Sequence, residues 1–163
     1  MKYCRPRLNF SGGWLLAIIA AITATPVIAE TANFGTITLP TNSNAVPVTV
    51  QGFTGGSYSL SAKSNRDRDQ KACIGFADPN PDHIMVLEKD FPQMTIQVDS
   101  NGNDTTLLIQ GPDQNTIRCG DDTGKSKDAS VSDRNWKSGT YRIWVGTFNP
   151  GVKHDYTLKV EQQ

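Results

Sequence analysis

The chain predicts an all-β protein whose short antiparallel strands form a sandwich or barrel, exported behind an N-terminal signal. Three observations lead there. Apolar residues recur at every second position in several separate stretches, and no stretch keeps helical spacing. Gly and Pro breaks divide those stretches at short intervals. The N-terminus has the charge, apolar core and small-residue order of a secretory leader.

The leader comes first. Lys2, Arg5 and Arg7 form its basic end, and residues 14–22 (WLLAIIAAI) its apolar core. Pro26 then precedes Val27-Ile28-Ala29, with cleavage expected after Ala29. The apolar run is shorter than the roughly 20 residues a bilayer span needs. Expected domains are therefore residues 1–29, the signal peptide, and 30–163, one folded domain. Removing 29 of 163 residues leaves 134, a length suited to one core. It also removes three of the 16 basic residues and none of the 16 acidic ones, leaving a net charge of −3. A mildly acidic chain with no basic stripe argues against nucleic acid and anionic lipid as partners.

Within the domain, Val46, Val48 and Val50 alternate with polar or small residues, giving the first strand. Gly55-Gly56 reads as a hairpin turn into a strand carrying Tyr58, Leu60 and Ala62. Residues 63–71 (KSNRDRDQK) hold nothing apolar and read as a solvated loop. Residues 84–87 and 107–109 are continuously apolar, as in strands covered on both faces. Between them Met94, Ile96 and Val98 alternate with polar residues, giving one wet face. Residues 121–133 are polar and acidic and read as a second long loop, with Trp136 anchoring the approach to the next strand. Tyr141, Ile143 and Val145 form one face of that strand, and Tyr156, Leu158 and Val160 one face of the last.

Cys4 leaves with the leader, so Cys73 and Cys119 remain. In an oxidising compartment two cysteines pair most simply with each other. Two free thiols or a metal pair are the alternatives, and the spacing lacks the closeness of zinc sites.

Asp104 follows the turn-forming Asn101-Gly102-Asn103, while Asp121 and Asp122 follow a strand end. Carboxylates gathered at one end of a sandwich suit a hard cation such as calcium, with Asp128 a further candidate ligand. The competing role is backbone capping in turns, which Asp also favours. The segment DDTGKSKDASVS is no EF-hand loop. Trp144 falls on the face opposite Tyr141, Ile143 and Val145, beside Arg142. Together they are a candidate contact surface for a sugar or peptide, unless a neighbouring loop covers them. No G-x-S-x-G elbow is present, and the two histidines, His83 and His154, read as surface or turn residues.

The segments DTTLLIQGPDQNTIRCGDD, GTYRIWVGTF and DYTLKVEQ resemble, in that order, the bacterial pre-peptidase C-terminal domain. The resemblance runs over about residues 82–163. It implies an antiparallel jelly-roll-like β-sandwich, here preceded by the signal peptide helix. It also implies a non-catalytic accessory role beside secreted peptidases, in a family where some members bind calcium and some bind insoluble protein or polysaccharide. Asp104, Asp121 and Asp122 match the family's acidic motif. These 163 residues are expected to hold no peptidase domain, so the expected partner is an extracellular protein or polysaccharide, or a separately encoded secreted peptidase. The expected function is a secreted or periplasmic binding or accessory module, not an enzyme and without a membrane span once the leader is cut. Its alternatives are a small secreted hydrolase with an unrecognised site and a purely structural envelope protein.

Overall fold

The computed structural model describes residues 1–2, 31–42 and 46–163. The expected leader, apart from residues 1–2, therefore lies outside the described residues. Among the described residues, twelve strands form two sheets that face each other. They are β1 (Gly35–Leu39), β2 (Val48–Phe53), β3 (Tyr58–Ser59), β4 (Phe76–Ala77), β5 (His83–Leu87) and β6 (Phe91–Asp99). There follow β7 (Thr105–Gln110), β8 (Ile117–Gly120), β9 (Asp122–Thr123), β10 (Ser126–Trp136), β11 (Gly139–Thr147) and β12 (Asp155–Gln162).

The first sheet runs β1-β5-β11-β7-β8, with β4 on the far end of β11 and β3 beyond it. The second runs β2-β12-β6-β10-β9. Neither closes into a barrel, so the molecule is a β-sandwich. Every pairing is antiparallel except β1 with β5, which is parallel. That one pair departs from the all-antiparallel expectation: the chain leaves β1, crosses to the second sheet and returns before β5.

Alternation places the core as expected. Met94, Ile96 and Val98 on β6 and Leu158 and Val160 on β12 face Met85, Leu107, Ile109, Ile143 and Val145 of the first sheet. The continuous apolar run 107–109 is covered on both faces, and 84–87 is too except at the half-buried Val86. On β7, Leu107 and Ile109 enter the core between the sheets. Leu108 points the other way, into a second cluster with Leu60, Cys73, Ala77, Ile117, Cys119 and Trp144. Both β7 and β11 bury apolar side chains on both faces, which stabilises them at about 25 cal/mol per Å² of apolar area.

Several local expectations change. Gly55-Gly56 is no hairpin turn, because β2 belongs to the second sheet and β3 to the first. Gly56 has φ +81, and a Cβ there would lie 2.4 Å from the Ala77 carbonyl oxygen, so the crossing requires glycine. The strand expected through Leu60 and Ala62 ends at Ser59 and tightens into a 3₁₀ turn, Leu60–Ala62. Most of the predicted loop 121–133 is the strand β10. Its register with β6 pairs Val131 with Ile96 and Asp133 with Met94. Only Ala129 and Val131 in its middle are apolar and buried, so tertiary pairing overrides a weak local signal.

Candidate functional site

The β7–β8 hairpin brings the predicted cation ligands together. Leu107 pairs with Gly120, so the residues just before β7 face those just after β8. Asp104 thereby meets Asp121 and Asp122. One carboxylate oxygen from each lies within 4.8 Å of the others. Oxygens about 2.4 Å from a shared cation sit no more than about twice that distance apart, so the spacing fits one hard ion. Burial, with the charges of Asp122 and Asp104, pushes the Asp121 carboxyl above its ordinary range. Among the described residues the cation bonded to the trio is Lys127, whose Nζ lies 3.1 Å from Asp104 Oδ2 on an exposed side chain.

Asp128 does not join them. Its Oδ1 accepts the Ser100 backbone N–H at 2.8 Å and the Ser100 hydroxyl at 2.5 Å. Its Oδ2 accepts the Ser126 hydroxyl at 2.9 Å and the Gly102 N–H at 3.2 Å. Burial alone would raise this carboxyl, but those four donors outweigh it and hold it below its ordinary range. Asp128 is thus the brace of the β6–β7 turn.

Cys73 and Cys119 form a disulfide, with Cα atoms 5.3 Å apart. It ties the 63–73 segment to β8. That segment is no free loop: Asp67 is buried and accepts the N–H groups of Asp69 at 2.8 Å, Lys71 at 2.9 Å and Cys119 at 3.1 Å.

Trp144 is not a contact surface. It faces away from the core as alternation requires, but only 1% of it is exposed. The crossing from Thr54 to Ala77 folds over this side of the sheet. The indole N–H donates to the Pro79 carbonyl at 3.3 Å, and Lys63 Nζ lies 4.1 Å above the ring. Arg142, beside it, is half-buried.

His83 is not a surface residue either. It is buried, with Nε2 2.9 Å from the Tyr156 hydroxyl and Phe34 packed against the ring. Burial lowers its pKa to about 4. Next to it in sequence, Asp82 is 2% exposed; Oδ2 accepts the Val145 N–H at 2.7 Å and Oδ1 the Asn33 amide at 3.3 Å. Burial raises it to about 7, the two donors offsetting only part, with Asp78 adding repulsion. His154 is half-buried, and its backbone pairs with Thr54. Among the described residues no serine or cysteine thiol hydrogen-bonds either histidine side chain.

One charged assembly gave no local sign. Arg118 on β8 is buried with its Cζ 4.1 Å over the Trp136 ring and Nε 2.6 Å from Asp133 Oδ2. A lone Arg in a short strand looks solvated until β10 supplies Asp133 and Trp136.

No protein-family model and no curated protein matches the chain. Among solved structures it is similar to the pre-peptidase C-terminal domain of a collagenase from Bacillus anthracis, with TM-score 0.47 and 18% identity over 82% of this chain and 97% of that one. It is also similar to PliG, a periplasmic inhibitor of g-type lysozyme from Aeromonas hydrophila, with TM-score 0.43 and 14% identity over 82% of this chain and 100% of that one. A third is CorA, a surface-associated copper-binding protein of Methylomicrobium album BG8, with TM-score 0.45 and 9% identity over 82% and 100%.

Proposed function

We propose that this chain is a non-catalytic binding or accessory module working outside the cytoplasm, with a calcium site at Asp104, Asp121 and Asp122. The observation that carries the reading is the convergence of those three carboxylates at the hairpin end, where Lys127 is the cation bonded to them among the described residues. All ligands are hard oxygens, the donor type calcium takes, and further positions would fall to water or backbone carbonyls. The disulfide supports an oxidising compartment. The absence of catalysis is supported by how the buried titratable groups are used: His83 is bonded to a tyrosine and Asp82 to a strand N–H.

The accessory role extends to an extracellular protein or polysaccharide, or a separately encoded secreted peptidase, as the partner. A calcium titration by calorimetry, paired with melting in calcium and in chelator, tests the site. With calcium about 100-fold above its Kd, linkage adds about 2.7 kcal/mol, roughly a 10 °C rise in Tm for a domain this size. No heat and an unchanged Tm would remove the metal from the account. Retention on matrix polymers or envelope proteins tests the binding role separately.

A further inference from the structure

A concave surface of about 290 Å³ opens at the β8 edge of the first sheet. Arg68, Arg118, Asn115, Asn135 and Lys137 border it. It shares no residue with the aspartate trio.

Arg118 is the feature that needs explaining. The residue is 2% exposed, and its plane is fixed by the Trp136 ring and by the Nε bond to Asp133. Nη1 reaches the Gly111 carbonyl at 3.4 Å. Nη2 donates to none of the described residues. Among the described residues, the buried side-chain atoms that lack a partner are His83 Nδ1 and Thr106 Oγ1, so Arg118 Nη2 is not one of them. Its N–H groups open onto the cavity that the side chain borders, where a ligand can reach them.

Arg68 stands on the same carboxylate. Its Nη1 lies 3.5 Å from Asp133 Oδ2, the oxygen already taken by Arg118. Two guanidiniums thus share one oxygen, while Asp133 Oδ1 accepts the Arg134 N–H at 2.7 Å. Arg68 is positioned by its backbone, whose N–H donates to the Ile117 carbonyl at 3.0 Å, and by the Asp67 and disulfide anchors beside it. The remaining charges are engaged. Asp113, which also borders the cavity, turns both oxygens to its own loop, onto the N–H groups of Asn115 and Thr116 and the Thr116 hydroxyl. Lys137 bonds Asp90 at 2.8 Å.

These charges decide the ligand. Three cations stand against Asp133, Asp113 and Asp90, so the surface has no field to draw a polyanion. What it offers is directional: guanidinium N–H groups in a plane, the geometry that a single carboxylate matches. Asn115 and Asn135 add amides suited to a peptide bond. The aromatic ring beneath, Trp136, is fully buried, leaving no platform for a sugar face. We propose that Arg118 and Arg68 form a receptor for one carboxylate of a peptide or protein partner. This rests on the binding-module reading and is independent of the calcium site.

The test follows the Trp136 indole and Arg Nε–H resonances of the full chain while peptides are added. The probes are an acetylated tripeptide as free acid, the same peptide as C-terminal amide, acetyl-Asp-amide, glucuronate and inorganic phosphate. The free acid is expected to give saturable shifts and the tripeptide amide none. Saturation by acetyl-Asp-amide as well would make acidic side chains a second source of the same group. Arg118→Lys is expected to abolish the shifts. Should that variant unfold, Arg68→Gln decides, since its side chain is partly exposed: binding weakens about tenfold with Tm unchanged. Equal shifts from acid and amide, undiminished binding by Arg68→Gln, or saturation only by glucuronate or phosphate would overturn the proposal. A polymer or protein partner still retained by Arg68→Gln would leave the binding-module reading standing and this pocket wrong.

Discussion

Two neighbouring aspartate sites at one end of the sandwich use the residue in opposite ways. At the β6–β7 turn, Asp128 accepts four hydrogen bonds and is held below its ordinary pKa. Beside it, between β8 and β9, Asp121 is crowded by Asp104 and Asp122 and pushed above its own. The residue type is the same and both are partly out of water. The number of donors per carboxylate separates them. A braced acid has no lone pairs to offer a ligand, while a crowded one gains from a cation what the protein does not supply.

The largest expected effect tests the braced side. Asp128→Ala leaves Ser100 and Gly102 without their acceptor and should destabilise the fold by about 3 kcal/mol in urea unfolding. Calcium-induced stabilisation should persist in that variant. Asp121→Asn should do the reverse, costing little without calcium and losing the calcium-dependent rise in Tm. If Asp128→Ala instead abolishes calcium binding with stability intact, the two roles have been exchanged.

Asp82 extends the comparison, being more buried than either and served by two donors. Its folded pKa, about 7, lies above the unfolded value of 3.8. Its contribution is therefore full below the unfolded value and lost as pH rises through 7. His83 has the opposite sign. Its folded pKa, about 4, lies below 6.5, so its contribution is full above 6.5 and lost as pH falls toward 4. Between about pH 4 and 6.5 the two slopes cancel, and this pair leaves wild-type stability flat. Asp82→Asn removes one slope and unmasks the other. Stability of that variant relative to wild type should then rise with pH by about 1.4 kcal/mol per unit over that window. A difference independent of pH would mean that Asp82 is ionised in the fold, matched by something other than its two donors.

What the chain discloses follows the same accounting. Strands with a full apolar face, such as β6 and β12, were legible because alternation is local. The aspartate trio was legible because two members are adjacent and a strong β7–β8 hairpin places the third. β10 was not, because SKDASVSDRN shows only Ala129 and Val131 to the core and depends on β6 for its pairing. Trp144 was placed on the correct face, yet that face is covered by a segment some 70 to 90 residues away in sequence. His83 and Arg118 were missed for one reason: each is buried by partners from distant strands, Tyr156 and Phe34 for one, Asp133 and Trp136 for the other. Alternation reports which way a side chain points and carries no information about what waits there.

The smallest expected effect concerns Lys127. Its ammonium is bonded to Asp104 Oδ2 on an exposed side chain, so it partly neutralises the trio and occupies an oxygen the ion would use. An exposed pair of this kind contributes little to stability, and Lys127→Ala should leave Tm in chelator nearly unchanged. Calcium binding no longer has to displace it, so affinity should rise about threefold, by an amount that shrinks as salt screens the lysine. Weaker calcium binding in this variant would mean that Lys127 shapes the site instead of competing for it. The trio would then be braced as Asp128 is, and the contrast between the two sites would fail.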